Sequence, residues 1–458
     1  MMKLNRRKVL MGGLAMAGMP RFAKAKDDGF LELAAFETQM QLVEGEYPKT
    51  AVWGFNGSVP GPLLGGVQGE RMRVRLRNEL TENTAVHWHG MRVKNAMDGV
   101  PGMTMQAVPP QGSFDYEISL RDAGTYWYHS HNRSLKQVSK GLYGIVVARE
   151  SSPLDVDHDL VVVLDDWRLS PDAQITDDFG NMHDLSHAGR LGNYIHAVVD
   201  PLPTHFAANQ RVRLRFVNTA TDRIMPLALQ GVEGWIVARD GMPLARPEAM
   251  DQITLGPAER VDAIVDVTAE AGGEVLLAFR EGDQGYVLAE TPVLAGARAR
   301  RAPVEALPPN PITNITSVAD ARAVPMVMEG GAMGGLRGAT FKGENMDMRA
   351  LVQEGQVWAV NGVAGLPDAP LFEASLEETV VLNMQNDTAF PHAMHMHGTH
   401  FQEVLPDGSF GPHKDTVLMM RGEQRAFAFV ADNPGKWLIH CHMLSHQTAG
   451  MKTWFKVS

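Results

Sequence analysis

The sequence is that of an all-β protein made of three consecutive Greek-key β-sandwich units. From residue 27 onward, short runs of alternating polar and apolar residues are separated by Gly, Pro and Asn turns, and no run between them is long enough to be a crossover helix. One strand pattern recurs three times, as Arg71–Asn78, Arg211–Asn218 and Thr379–Asn386, each a period-2 run closing on Asn. The length of 458 residues accommodates such a triplication, since domains run to about 100–200 residues each.

The chain opens with residues 1–25, which hold six bases (Lys3, Arg6, Arg7, Lys8, Arg21, Lys24) and no acid. The short apolar run Val9–Met19 after the Arg6-Arg7 pair reads as a twin-arginine signal peptide. That run is too short for an ordinary membrane span, and Ala23-Lys24-Ala25 offers a cleavage site that leaves Lys26 first. The expected location is the periplasm, reached through the twin-arginine machinery, which generally carries proteins already folded. Losing the six bases takes the net charge from −11 to −17, which favours a freely soluble protein over a stable membrane associate. An acidic chain also lacks the basic footprint of a nucleic-acid binder. One cysteine excludes any intrachain disulfide.

The first unit is expected over 26–150. Nine and eleven residues beyond Asn78 stand His87 and His89; five and seven beyond Gly124 stand His129 and His131. In the second unit, 151–300, the first pair of positions holds Leu227 and Leu229, and the stretch Gly273–Phe279 has no histidine, so this unit reads as a spacer without ligands. A Pro/Ala/Arg-rich stretch from Ala295 to Val324 marks the next boundary, and 301–344 reads as a linker with a methionine-containing segment. The third unit, 345–458, restores the histidines: His395 and His397 follow Asn386 at the same spacings, and His440 and His442 follow Gly435.

Fewer than one H-x-H pair is expected by chance from 17 histidines in this length, yet these four are present. Residues i and i+2 of a strand share a face, so each pair presents two imidazoles together, a metal-ligating arrangement. Imidazole alone leaves Zn, Cu, Fe and Ni open. The C-terminal run narrows the choice, because alternation sets Cys441 opposite His440 and His442, where His446 and Met451 can return beside its sulfur and the remote His392 can complete the set. Two imidazoles, one thiolate and a weak axial thioether form the ligand set of an electron-transfer copper site. A catalytic thiol at Cys441 would leave Met451 and both neighbouring histidines unexplained.

The segments HWHG (87–90), HSH (129–131), HAMHMHG (392–398) and HCHMLSHQTAGM (440–451) resemble the four copper-binding motifs of multicopper oxidases, and with the tripled unit the resemblance covers nearly all of the mature chain. It implies three cupredoxin-like domains and four copper ions: a type 1 ion on His392, Cys441, His446 and Met451; a type 2 ion on His87 and His395; and a type 3 pair on His89, His129, His131, His397, His440 and His442. The remaining seven histidines (158, 183, 187, 196, 205, 400 and 413) read as solvated or structural. The implied reaction couples four one-electron substrate oxidations, entering at Cys441, to reduction of O₂ to water. Asp98 matches the family's proton-relaying acid, whereas Gln447 replaces a glutamate common after the last motif histidine, and an amide cannot relay a proton by ionising.

Met326, Met328, Met333, Met346 and Met348 lie within 23 residues, and thioethers favour Cu(I). With periplasmic export they point to a cuprous oxidase in copper tolerance. A laccase-like oxidase of phenols or aromatic amines and a non-enzymatic copper-storage or scaffold protein are the alternatives. Copper nitrite reductase is disfavoured, since two domains suffice for it.

Overall fold

The computed structural model describes residues 3–4, 29–250, 252–282 and 284–458. The export-leader reading covers residues 1–25, which apart from residues 3–4 lie outside them. Among the described residues no helix is long and apolar enough to cross a membrane.

The all-β expectation holds, with three sandwiches in chain order. In the first, the sheet Thr50–Phe55, Leu31–Met40, Arg71–Asn78, Ser113–Ser119 faces the sheet Gly61–Val67, Tyr143–Arg149, Gly124–Ser130, Val86–His89. The second is centred on His158–Trp167, Arg211–Asn218 and Arg260–Val267, and the third on Thr379–Thr388 and Gln424–Val430 against His392–Met396 and Gly435–Cys441. In both the first and the second sandwich the recurring strand lies between a parallel neighbour and an antiparallel one, and the third repeats this.

The recurring asparagine has a structural cause. The buried amides of Asn78, Asn218 and Asn386 each donate to a carbonyl four or five residues on (Glu82, Arg223 and Phe390, at 2.9, 2.9 and 2.8 Å) and to a second carbonyl on a distant segment. Each Oδ1 accepts the backbone N–H two residues ahead. One side chain thus satisfies the turn that leads into the next strand, which in the outer units carries histidines.

Two expectations need revision. Within the stretch assigned to a linker, Arg322–Gly330 is a strand paired in parallel with Thr379–Thr388 of the third sandwich. Val324, Met326 and Met328 point into that core, a period-2 pattern disguised by Pro325, so two of the five clustered methionines are packing residues. The middle unit is also more than a spacer. Arg213 and Arg215, on a strand buried on both faces, pair with Glu150, Asp262 and Asp159, and Arg215 also donates to Thr125 of the first sandwich. Its outer face is an interdomain face.

Candidate metal centre

Strand alternation sorts the site. Trp88 packs into the first sandwich against Tyr116 and Tyr128, which turns His87 and His89 outward. In the third sandwich Met394, Met396, Ile439 and Cys441 face the core, which turns His395, His397, His440 and His442 outward. His87 lies opposite His129 on neighbouring antiparallel strands, and His395 lies opposite His440. Gly99 permits the close return of the chain behind His87: it has φ +83°, and a Cβ there would sit 1.8 Å from the Val86 carbonyl oxygen.

The two outward faces meet. His87 stacks on His397 with ring centroids 3.9 Å apart, His89 stacks on His395 at 3.7 Å, and His442 approaches His89 and His129 at 4.8 and 5.1 Å. His131 completes the group beside His397 and His440, at 5.1 and 5.4 Å. All eight imidazoles are buried.

Their hydrogen bonds show which nitrogens are left over. His87 Nδ1–H donates to the Asp98 carbonyl (2.7 Å) and His395 Nδ1–H to the Asp415 carbonyl (2.9 Å), leaving both Nε2 atoms buried without a partner. His89 is reversed: its Nε2–H donates to the Asp415 carboxylate at 3.1 Å and its Nδ1 is unpartnered. His131 Nε2 and His442 Nδ1 are unpartnered too. Leaving a buried polar atom unpaired costs about 1–3 kcal/mol, so five in one cluster call for an occupant. Burial first, and then neighbouring imidazoles, hold His129, His131, His397, His440 and His442 well below the usual histidine range. Neutral imidazoles with converging lone pairs are what a metal cation requires. Three-histidine groups with ligand atoms within 4.8 Å of one another include His87/His395/His397 and His131/His397/His440.

A second cluster lies on the core side of the same strand. His392 Nδ1 and His446 Nδ1 stand 3.6 and 3.7 Å from Cys441 Sγ and 3.0 Å from each other. Their far nitrogens are anchored, His392 Nε2 at Thr388 Oγ1 (2.8 Å) and His446 Nε2 at the His187 carbonyl (2.7 Å). Met451 is fully buried beside them; its carbonyl accepts from the Cys441 N–H and its N–H donates to the His446 carbonyl. Trp358 covers both rings at 5.0 and 4.5 Å. Burial pushes the Cys441 thiol up, so without a cation it is no nucleophile at neutral pH. Two imidazoles, a thiol and a buried thioether fit copper.

All three sandwiches match multicopper oxidase family models, over residues 37–153, 159–284 and 341–458. The chain belongs to the multicopper oxidase family. It is 30% identical to the multicopper oxidase MmcO of Mycobacterium tuberculosis over 87% of this chain and 82% of that protein. Copper resistance protein A of Pseudomonas syringae pv. tomato is 24% identical over 96% of both chains. Among solved structures, Lac15 from a marine microbial metagenome is 41% identical with a TM-score of 0.76, covering 93% of this chain and 99% of that one. As a multicopper oxidase the protein is an oxidoreductase with copper cofactors, using O₂ and a reducing substrate.

Other residues shape the oxidase site. Asp98 lies with its carboxylate 3.0 Å from His397 Nδ1 and 3.3 Å from His87 Nδ1, behind two candidate ligands. Gln447 is buried in the short helix Leu444–Thr448. Asp415 escaped the sequence reading. Its carboxylate meets His89, lies 3.4 Å from His395 Nδ1, and is gripped by Arg260 of the middle unit at 2.6 and 2.8 Å. Arg260 comes 155 residues earlier, too far to leave any local pattern.

The apo oxidase is expected to lose stability steeply on acidification. Burial lowers nine of the ten candidate histidines, His446 to about 4, while in the unfolded chain each titrates near 6.5. Between those values the unfolded state binds more protons, so unfolding free energy falls as pH drops below 6.5 and is fully regained above it. Denaturation of copper-free protein at pH 5 and pH 7.5 checks this; equal midpoints would contradict it.

Proposed function

We propose that this enzyme is a periplasmic cuprous oxidase, exported by the twin-arginine route, that serves copper tolerance. Four copper ions per chain are assigned: type 1 on His392, Cys441, His446 and Met451; type 2 on His87 and His395; and the type 3 pair on His89, His129, His131, His397, His440 and His442. The observation that carries the assignment is the division of one strand: Cys441 faces the core with His392 and His446, while its covalent neighbours His440 and His442 face the imidazole cluster. When bound, copper supplies one-electron acceptance beside Cys441 and the four-electron reduction of O₂ to two waters between the outer sandwiches.

The protein's own groups position and shield. The Asp98 and Asp415 carbonyls fix the His87 and His395 tautomers so that Nε2 faces inward, and the Asp415 carboxylate fixes His89 with Nδ1 inward. Trp358 excludes water from the thiol cluster. Asp98 is the acid placed to hold or pass a proton beside His397. The soft donor Met333, at 82% exposure, and the relative named for copper resistance support Cu(I) as substrate.

Oxygen uptake by copper-loaded enzyme with Cu(I), Fe(II) and a panel of phenols tests this reading. Cu(I) is expected to give the highest kcat/KM; preference for phenols would replace it with a laccase-like activity, and copper binding without any O₂ uptake would leave storage. Gln447→Glu is expected to raise turnover and shift the pH–rate profile by restoring an ionisable relay, and an unchanged profile would show that protons do not pass this position.

A further inference from the structure

The sequence placed His183 and His187 among solvated or structural histidines. The structure sets them over the type 1 cluster. Asn181 caps the short helix Met182–Ser186, accepting from the His183 N–H at 2.9 Å, and the Trp358 indole pins the helix by donating to the Leu185 carbonyl at 2.6 Å. His183 and His187, four residues apart, lie on one side with rings parallel and centroids 4.0 Å apart. His187 Nδ1–H donates to the His183 carbonyl at 3.0 Å, which puts its remaining lone pair on Nε2. The Ser186 carbonyl accepts from the Ala332 N–H at 2.7 Å, so the exposed Met333 begins beside this pair.

This cap decides how an electron can enter. His392 and His446 have no exposed surface, and the outward nitrogen of His446 is committed to the His187 carbonyl at 2.7 Å. A donor therefore cannot touch a type 1 ligand directly. What it meets is the outer side of the cap, an exposed and a half-buried imidazole, with the exposed Met333 next in the chain to the Ala332 that bonds this helix; imidazoles are copper ligands rather than an apolar slot for a ring. The His187 ring is joined to His446 through its own backbone and a single hydrogen bond.

Resting on the cuprous-oxidase reading above, we propose that His183 and His187, assisted by Met333, form the docking site for substrate Cu(I). Each Cu(I) held there gives up one electron, through the His187 backbone and His446, to the oxidised type 1 site and leaves as Cu(II). Four such events, with four protons, convert one O₂ to two waters.

The test uses copper-loaded wild-type enzyme and the double variant His183→Ala/His187→Ala, which keeps the carbonyl that anchors His446. Ag(I), a redox-inert ion of the same charge and softness, is titrated calorimetrically. Wild-type enzyme is expected to take up one Ag(I) that the variant does not. In steady state the variant's kcat/KM for Cu(I) is expected to fall at least about tenfold relative to its kcat/KM for hexacyanoferrate(II), mainly through KM. Equal Ag(I) uptake and equal Cu(I) kinetics in the two proteins would overturn the docking site while leaving the oxidase reading intact. Wild-type enzyme that binds Ag(I) at this pair but does not oxidise Cu(I) would instead refute the cuprous reading and the hand-off with it.

Discussion

Cys441→Ser is expected to yield a folded protein that has lost its blue colour, carries one copper fewer, and turns over at least about 10³-fold more slowly with every donor, the scale on which interdependent groups fail when one is removed. Cys441 Sγ is the sole sulfur anion available to His392 and His446, and the main chain on either side of it runs directly into His440 and His442. A serine keeps the strand pairing of Gly435–Cys441 with Lys452–Val457 and with His392–Met396, but supplies no soft anion. Its hydroxyl costs about 1–3 kcal/mol in that buried place if unpaired, too little to unfold a chain of this size. Visible absorption, metal content and O₂ uptake are the readouts. A variant that stays blue, or oxidises any donor at the wild-type rate, would remove Cys441 from the electron route.

Arg260→Met carries the largest expected cost in stability, about 3–5 kcal/mol, because removing one partner of a buried pair leaves the other charge uncompensated. The Arg260 guanidinium and the Asp415 carboxylate are both fully buried, and Arg260 holds the Asp415 carboxyl well below the usual carboxylate range. A depressed carboxyl contributes stability that is present above about pH 4 and fades as pH falls through its folded value, so the deficit of the variant shrinks in acid. Asp415 also orients His89 and His395. Thermal unfolding of apo protein is expected to show a Tm lower by about 3–5 °C. Copper loading narrows the gap, since bound cations restore positive charge near Asp415. An unchanged apo Tm would show that Arg260 is not the counter-charge that holds Asp415 in place.

Most of the metal centre was legible because strand alternation is a local rule. Given His87, His89, His440 and His442, the face of each imidazole and of Cys441 follows without knowing the rest of the fold, and the three asparagines mark equivalent turns because one amide geometry closes each of them. Interdomain contacts follow no such period. The alternating arginines of Arg211–Asn218 mark only a period-2 strand in the sequence, and nothing in that pattern shows that the first sandwich covers the strand and supplies Thr125 and Glu150 to it. Met326 and Met328 read as soft ligands and are core, because thioethers serve both purposes and only the register of Arg322–Gly330 decides between them. His183 and His187 read as solvated or structural because the helix that carries them contacts the thiol cluster through a backbone carbonyl, which has no sequence signature.

Anomalous diffraction at the copper edge from crystals of copper-loaded protein tests the central claim most directly. The account predicts four copper peaks per chain, three among the imidazoles shared by the first and third sandwiches and one beside Cys441 Sγ between His392 and His446. Zinc at the imidazole cluster, or no peak at Cys441, would contradict it.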